Sequence, residues 1–145
     1  MNKLKIYCKD ENCKPVRAHP TDAGIDLRAA ERQLISTTNT LVKTGVHVEI
    51  PEGYVGLVAI RSGLSKEGFS LTNGVGIIDS DYRGEIMCSM RYNTLYKAYK
   101  DIEQYQRIAQ LIVVPCLIAD EFVENLEDLS DTDRGEGGFG HTGKH

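Results

Sequence analysis

Asn73-Gly74-Val75-Gly76-Ile77-Ile78-Asp79-Ser80-Asp81-Tyr82-Arg83-Gly84-Glu85 opens on a turn signal and runs through a short β-branched segment. It then sets two carboxylates, a tyrosine and an arginine side by side before Gly84 turns the chain again. Asn and Gly both tolerate positive φ, so Asn-Gly between extended segments predicts a hairpin turn. Carboxylate, phenol and guanidinium together make a candidate site. A solvated polar hairpin tip accounts for the same residues equally well.

Outward from this stretch the chain reads as β throughout. Leu4 to Cys8, Ile25 to Ala30, Leu41 to Ile50, Tyr54 to Ile60, Glu85 to Tyr92 and Arg107 to Cys116 carry the alternation or β-branched content of strands. Residues 10–20, 36–40, 51–53 and 61–68 are polar, proline-containing or glycine-containing and read as loops and turns. Turn signals recur about every 8–12 residues, the pattern of a β-sandwich or barrel. Leu95, Tyr99, Ile102 and Tyr105 fall near helical spacing, but a lone helix would be isolated in a β chain, so strand and loop are expected over Leu95 to Gln106. Residues 1–130 are expected as one β domain. Residues 131–145 follow as a glycine-rich mobile tail with too little apolar surface to settle into one conformation.

The composition excludes several classes. The chain has 145 residues and a net charge of −4, with its basic residues scattered. That opposes duplex nucleic acid as a partner, which calls for a basic stripe, but leaves room for a nucleotide. No apolar run approaches a membrane span, and Met1-Asn2-Lys3-Leu4-Lys5 lacks the apolar segment of a signal peptide, so the cytoplasm is the expected compartment. Cys8, Cys13, Cys88 and Cys116 are then expected as reduced thiols without zinc spacing, with Cys88 and Cys116 in the core.

Gly138 to Lys144 fits Gly-x-x-x-x-Gly-Lys, but His145 follows in place of Ser or Thr and no strand–helix context surrounds it, so a P-loop is rejected. Asp131-Thr132-Asp133-Arg134-Gly135 lacks the glutamate of a calcium loop. The histidines have no zinc-deaminase context. Arg61-Ser62-Gly63, at a strand end, offers a guanidinium, a hydroxyl and an open N–H to a phosphate, though Ser-Gly is also a common turn. Asp22, Asp26, Asp79 and Asp81 are carboxylates near strand ends, suited to activating a water or holding a hard cation.

Taken together, Asp22 to Ala29, Arg61 to Ser65, Asn73 to Glu85, Arg107 to Leu111 and Arg134 to Gly143 resemble, in order, the motifs of the homotrimeric dUTP pyrophosphatase (dUTPase) family. The resemblance implies an all-β, jelly-roll-like barrel or sandwich subunit and a homotrimer with active sites at subunit junctions. It also implies magnesium-dependent hydrolysis of dUTP to dUMP and pyrophosphate, which lowers dUTP and supplies dUMP for dTTP synthesis. By the same resemblance Asp79 is the base for the water that attacks the α-phosphorus. Tyr82 lies under the deoxyribose, and Asn73, Ile77, Ile78 and Asp79 with Met87 read uracil. Arg61, Ser62, Gly63 and Gln110 contact the triphosphate, and Asp26 holds Mg2+ indirectly through water. Arg134, Phe139, Gly140, His141 and Thr142 form the closing tail. His141 stands where the family usually has serine, and Tyr105-Gln106 where it usually has Gly-Asp.

The non-enzymatic alternative is a nucleotide-binding regulatory or interaction trimer on the same scaffold, with Leu95 to Gln106 as the segment most open to a protein partner. A dUTP-cleaving deaminase is the second enzymatic alternative.

Overall fold

The structure is a computed structural model that describes residues 3–93 and 97–136. Ten strands run β1 (Lys5–Cys8), β2 (Ile25–Arg28), β3 (Gln33–Ser36), β4 (Thr40–Glu49), β5 (Tyr54–Ile60), β6 (Phe69–Leu71), β7 (Gly76–Ile78), β8 (Glu85–Tyr92), β9 (Tyr99–Ile102) and β10 (Arg107–Pro115). One short helix, α1 (Ser62–Lys66), and two single helical turns complete them. The strands form two four-stranded sheets, β1-β4-β8-β6 and β2-β10-β5-β7, and a two-stranded sheet, β3-β9. All pairings are antiparallel. This is the expected jelly-roll-like all-β architecture. No helix among the described residues is long and apolar enough to cross a membrane.

Alternation sets the layers. In β4, Val42, Thr44, Val46 and Val48 point inward, and in β8 Ile86, Cys88, Met90 and Tyr92 do the same. Leu27, Ile108, Ala109 and Leu111 face them from the second sheet and, with Phe69 and Ile35, close one core. Each large apolar side chain buried there stabilises the fold by about 1.5–3 kcal/mol. Thr44 is the polar member of the core, and its hydroxyl donates to the Ile86 carbonyl at 2.6 Å.

Four expectations change. The stretch Asn73 to Glu85 does not close as a hydrogen-bonded hairpin: β7 pairs with β5 in one sheet, and β8 pairs with β4 and β6 in the other. The Asn73-Gly74 turn, with Gly74 at φ 72°, carries the chain from β6 to β7, between sheets. Residues 61–68 hold α1, because Ser65 and Glu67 return their N–H groups to Arg61 and Gly63. Cys116 is exposed at the end of β10, while Cys88 is buried and desolvation pushes its thiol up to about 12. A strand, β3, occupies residues 33–36, where the sequence carries no strand signal. It forms because β9 pairs with it from Ile102 to Tyr99. That pairing also makes part of the segment 95–106 strand, as expected, with residues 94–96 outside the described set.

After β10 the chain leaves the sheets. Leu117, Ile118, Phe122, Leu126 and Leu129 are exposed along it.

Candidate functional site

Two clusters of the expected residues form, and β5 separates them. The first lies where β5 ends. There β2, β10 and β5 run side by side, with Gln110 opposite both Asp26 and Ala59. Ala18, Asp22, Gly24, Asp26, Arg61, Ser62 and Gln110 line a pocket of about 280 Å³. Gly24 is a packing requirement: a Cβ there would stand 3.0 Å from the Cβ of Gln110. Ser62 and Gly63 begin α1, where backbone N–H groups lack partners within the helix.

Asp26 organises this pocket. Its Oδ1 pairs with Arg61 Nε at 3.0 Å and its Oδ2 with Arg107 Nη1 at 3.1 Å, and its side chain is 12% exposed. Two guanidinium groups around one carboxylate leave the cluster with one excess positive charge, held in a fixed place. Such a partly buried triad contributes little net stability, because desolvation offsets attraction, but it fixes where the charge points. Arg107 is the member that sequence reasoning did not assign. Its signal was available only as a basic residue opening a strand.

The second cluster lies where β5 begins. Ile78 pairs with Gly56, so Asp79 emerges beside the first residues of β5. Ile77, Ile78, Asp79, Tyr82, Glu85, Ile86 and Met87, with Leu41, line a pocket of about 240 Å³. β7 is the last strand of its sheet, and β6 pairs with β8 only from Met90 onward. The facing edges of β7 and of β8 around Met87 therefore carry no ladder among the described residues. The residues on both edges line the pocket, and unpaired backbone donors and acceptors are what a base-pairing edge requires.

The loop between them is braced from within. Tyr82 folds back over Gly84, where a Cβ would clash with its ring and hydroxyl, and its Oη donates to the Glu85 carbonyl at 2.9 Å. Arg83 Nη1 donates to the carbonyls of Ser80 and Tyr82 at 2.7 and 2.9 Å. Asp79 is exposed and enters none of the ion pairs among the described residues, so its carboxylate is open to a ligand or water.

Asn73 is exposed at the other end of β7 and does not line this pocket. Arg134 lies in the exposed C-terminal stretch. Phe139, Gly140, His141 and Thr142 lie outside the described residues. The two pockets share no residue. Gly56, beside Ile78, and Arg61 are five residues apart in an extended strand, about 17 Å.

Among the described residues no group of three or more His, Cys, Asp or Glu side chains forms a metal cage. A cation held chiefly by substrate phosphates and water needs none, as is usual for magnesium at phosphates. Asp26 Oδ2 accepts an N–H from Arg107 and Oδ1 is ion-paired with Arg61, and a carboxylate oxygen has a second lone pair for a water. The residues therefore fit water-mediated contact.

Residues 11–143 match the family model of dUTPase. A deoxyuridine 5'-triphosphate nucleotidohydrolase of Cutibacterium acnes is 44% identical over 131 residues, covering 89% of this chain and 84% of the relative. The dUTPase of Staphylococcus bacteriophage 80alpha, solved with dUPNHPP, superposes with a TM-score of 0.83 at 31% identity, over 99% of this chain and 100% of that one. A dUTPase variant from phage phi11 of S. aureus, with a structural Mg(II) ion, gives 0.75 at 30% identity, over 87% and 99% of the two chains.

Proposed function

This chain belongs to the dUTPase family and hydrolyses dUTP as a dUTP diphosphatase, and from that premise we propose how its residues divide the reaction. Asp79 is the base. Its exposed carboxylate, beside the open β7 edge, accepts a proton from a water aimed at the α-phosphorus. Release of pyrophosphate then leaves dUMP for dTTP synthesis. The unpaired backbone of Ile77 to Asp79 and of Met87, with Asn73, reads uracil, and the narrow cleft excludes a 5-methyl group. The Tyr82 ring, held over Gly84, supports the deoxyribose and leaves no room for a 2′-hydroxyl.

The triphosphate is neutralised at the other pocket. Arg61, braced by Asp26, contacts phosphate oxygens with Ser62, the open Gly63 backbone and Gln110. Asp26 would hold Mg2+ through water, and the ion, when bound, would supply further neutralisation of the triphosphate. Arg134, Phe139, Gly140, His141 and Thr142, in the tail over residues 131–145, close the site.

The observation that carries this reading is the separation of the pockets. About 17 Å of β5 lies between them, which supports a site completed by two chains. A homotrimer provides them: the Asp79 pocket of one subunit meets the Arg61 pocket of the next. The exposed apolar residues from Leu117 to Leu129 supply surface for such an assembly. A cytoplasmic location suits the four free thiols. The segment 95–106, with Tyr99 exposed beside a pocket of about 600 Å³, is the surface for any additional protein partner.

A panel of deoxynucleotide and ribonucleotide triphosphates with pyrophosphate detection tests the substrate reading. We expect rapid turnover of dUTP and little of dCTP, dTTP or UTP, and no ammonia from dCTP. Asp79→Asn is expected to keep nucleotide binding and to lose turnover by 10²-fold or more. Undiminished turnover in that variant removes Asp79 from the mechanism.

A further inference from the structure

The loop that carries Asp79 and Tyr82 is braced mainly by itself, so what fixes it to the sandwich matters for the reaction. The Tyr82 hydroxyl ties the loop to Glu85 at the start of β8, and two further contacts tie Glu85 and Arg83 to β4. Between Lys43, opposite Met87, and His47, opposite Glu85, β4 advances four residues while β8 advances two. Gly45, at φ 68°, lies in this bulge and donates its N–H to Glu85 Oε1 at 2.7 Å. A bulge re-aims the side chains that follow it. Here the following residue is His47, whose Nδ1 lies 2.9 Å from the carbonyl oxygen of Arg83.

We propose that His47 is a positioning residue for the active-site loop: through Nδ1–H donated to the Arg83 carbonyl it holds the loop from Asp79 to Gly84 in its catalytic place. Among the described residues, no other side chain from outside the loop hydrogen-bonds residues 79–84. The carbonyl has no proton to give, so the imidazole is the donor and the neutral ring is the Nδ1–H tautomer. The ring is in turn set by Tyr7 of β1, its register partner, at 5.8 Å between centroids and 54°. Lys5, Glu49 and Arg83 complete the pocket around it.

The consequence falls on turnover more than on affinity. Asp79 must hold water in line with the α-phosphorus, and a shift well under 1 Å costs rate. Uracil and triphosphate contacts sit on β7, on β8 around Met87 and in the far pocket, and the His47 side chain lines neither pocket. The inference rests on the assignment of Asp79 and Tyr82 made above.

The test is steady-state dUTP hydrolysis by the full-length oligomer carrying His47→Ala or His47→Asn, with Asp79→Asn assayed alongside. The Asn amide N–H reaches nearly the same point as Nδ1–H. We expect His47→Ala to lose about five- to tenfold in kcat with KM within about twofold, and His47→Asn to recover most of that loss. ¹⁵N spectra of the wild-type histidines above their titration should show one neutral ring as Nδ1–H, absent in both variants. Unchanged kcat in His47→Ala, failure of Asn to restore it, or an Nε2–H ring at His47 overturns the proposal. If His47→Ala does not fold, His47→Asn and the tautomer decide. Loss of turnover in Asp79→Asn with none in His47→Ala sinks this inference alone; full turnover in Asp79→Asn sinks the mechanism and this inference with it.

Discussion

Gly84 and Tyr82 show what a single atom decides in this protein. The tyrosine ring occupies the volume a Cβ at Gly84 would need, so glycine there is a condition of the ring's position, not of backbone φ. Gly84→Ala should push the ring off its bond to the Glu85 carbonyl and loosen sugar discrimination. The ratio of kcat/KM for dUTP over UTP is expected to fall by about tenfold or more. An unchanged ratio would detach Tyr82 from sugar selection. Both residues were legible in the sequence, because a glycine two positions after a tyrosine in a polar turn is conspicuous. The Arg107 brace on Asp26 was not: 81 residues separate the partners, and only the β2–β10 register brings them within 3.1 Å.

Among the elements, the turn before β10 departs most from an ordinary backbone. Tyr105 has φ 63°, the left-handed region that suits glycine. The conformation is held from three directions. Tyr105 N–H donates to the Ala29 carbonyl at 2.7 Å, its carbonyl accepts from Arg28 Nη1 at 3.0 Å, and its hydroxyl donates to Asp10 Oδ2 at 2.8 Å. The Asn12 backbone N–H, then the Tyr105 hydroxyl, hold the Asp10 carboxyl below its usual range, and the same bond raises the Tyr105 phenol. Tyr105→Phe should therefore lower the thermal midpoint at neutral pH. Asp10 is the group whose folded pKa is depressed, so its contribution is present above the unfolded value and is lost as pH falls through the folded one. The gap between wild type and Tyr105→Phe should accordingly shrink below pH about 4. A gap that stays constant into acid would mean that the hydroxyl's bond to the ionised carboxylate contributes nothing.

For the whole molecule the question is which chain completes which site. If the Asp79 and Arg61 pockets meet only across subunits, inactive Asp79→Asn and Arg61→Ala chains should complement each other. Random equimolar co-assembly pairs two intact halves at about one site in four, so roughly a quarter of wild-type turnover should return after joint refolding. No recovery, in a mixture shown by sedimentation to be trimeric, would place both halves of each site in one chain.

The sequence by itself determined the fold class and, through its motifs' resemblance to a family, the reaction. Asp79, Tyr82, the Arg61-Ser62-Gly63 run and period-two alternation are local patterns, and local patterns survive without coordinates. Pairing is not local. Tertiary structure alone decided that Gly76 to Ile78 joins β5 and not β8, which leaves two unpaired edges beside a pocket where a closed hairpin would have paired them with each other. It decided that residues 33–36 become a strand because β9 covers them, and that a bulge in β4 brings His47 to Arg83. It also placed the two pockets at opposite ends of one strand. Backbone hydrogen bonds must be satisfied somewhere, and which strand satisfies them depends on the competition among all the strands at once.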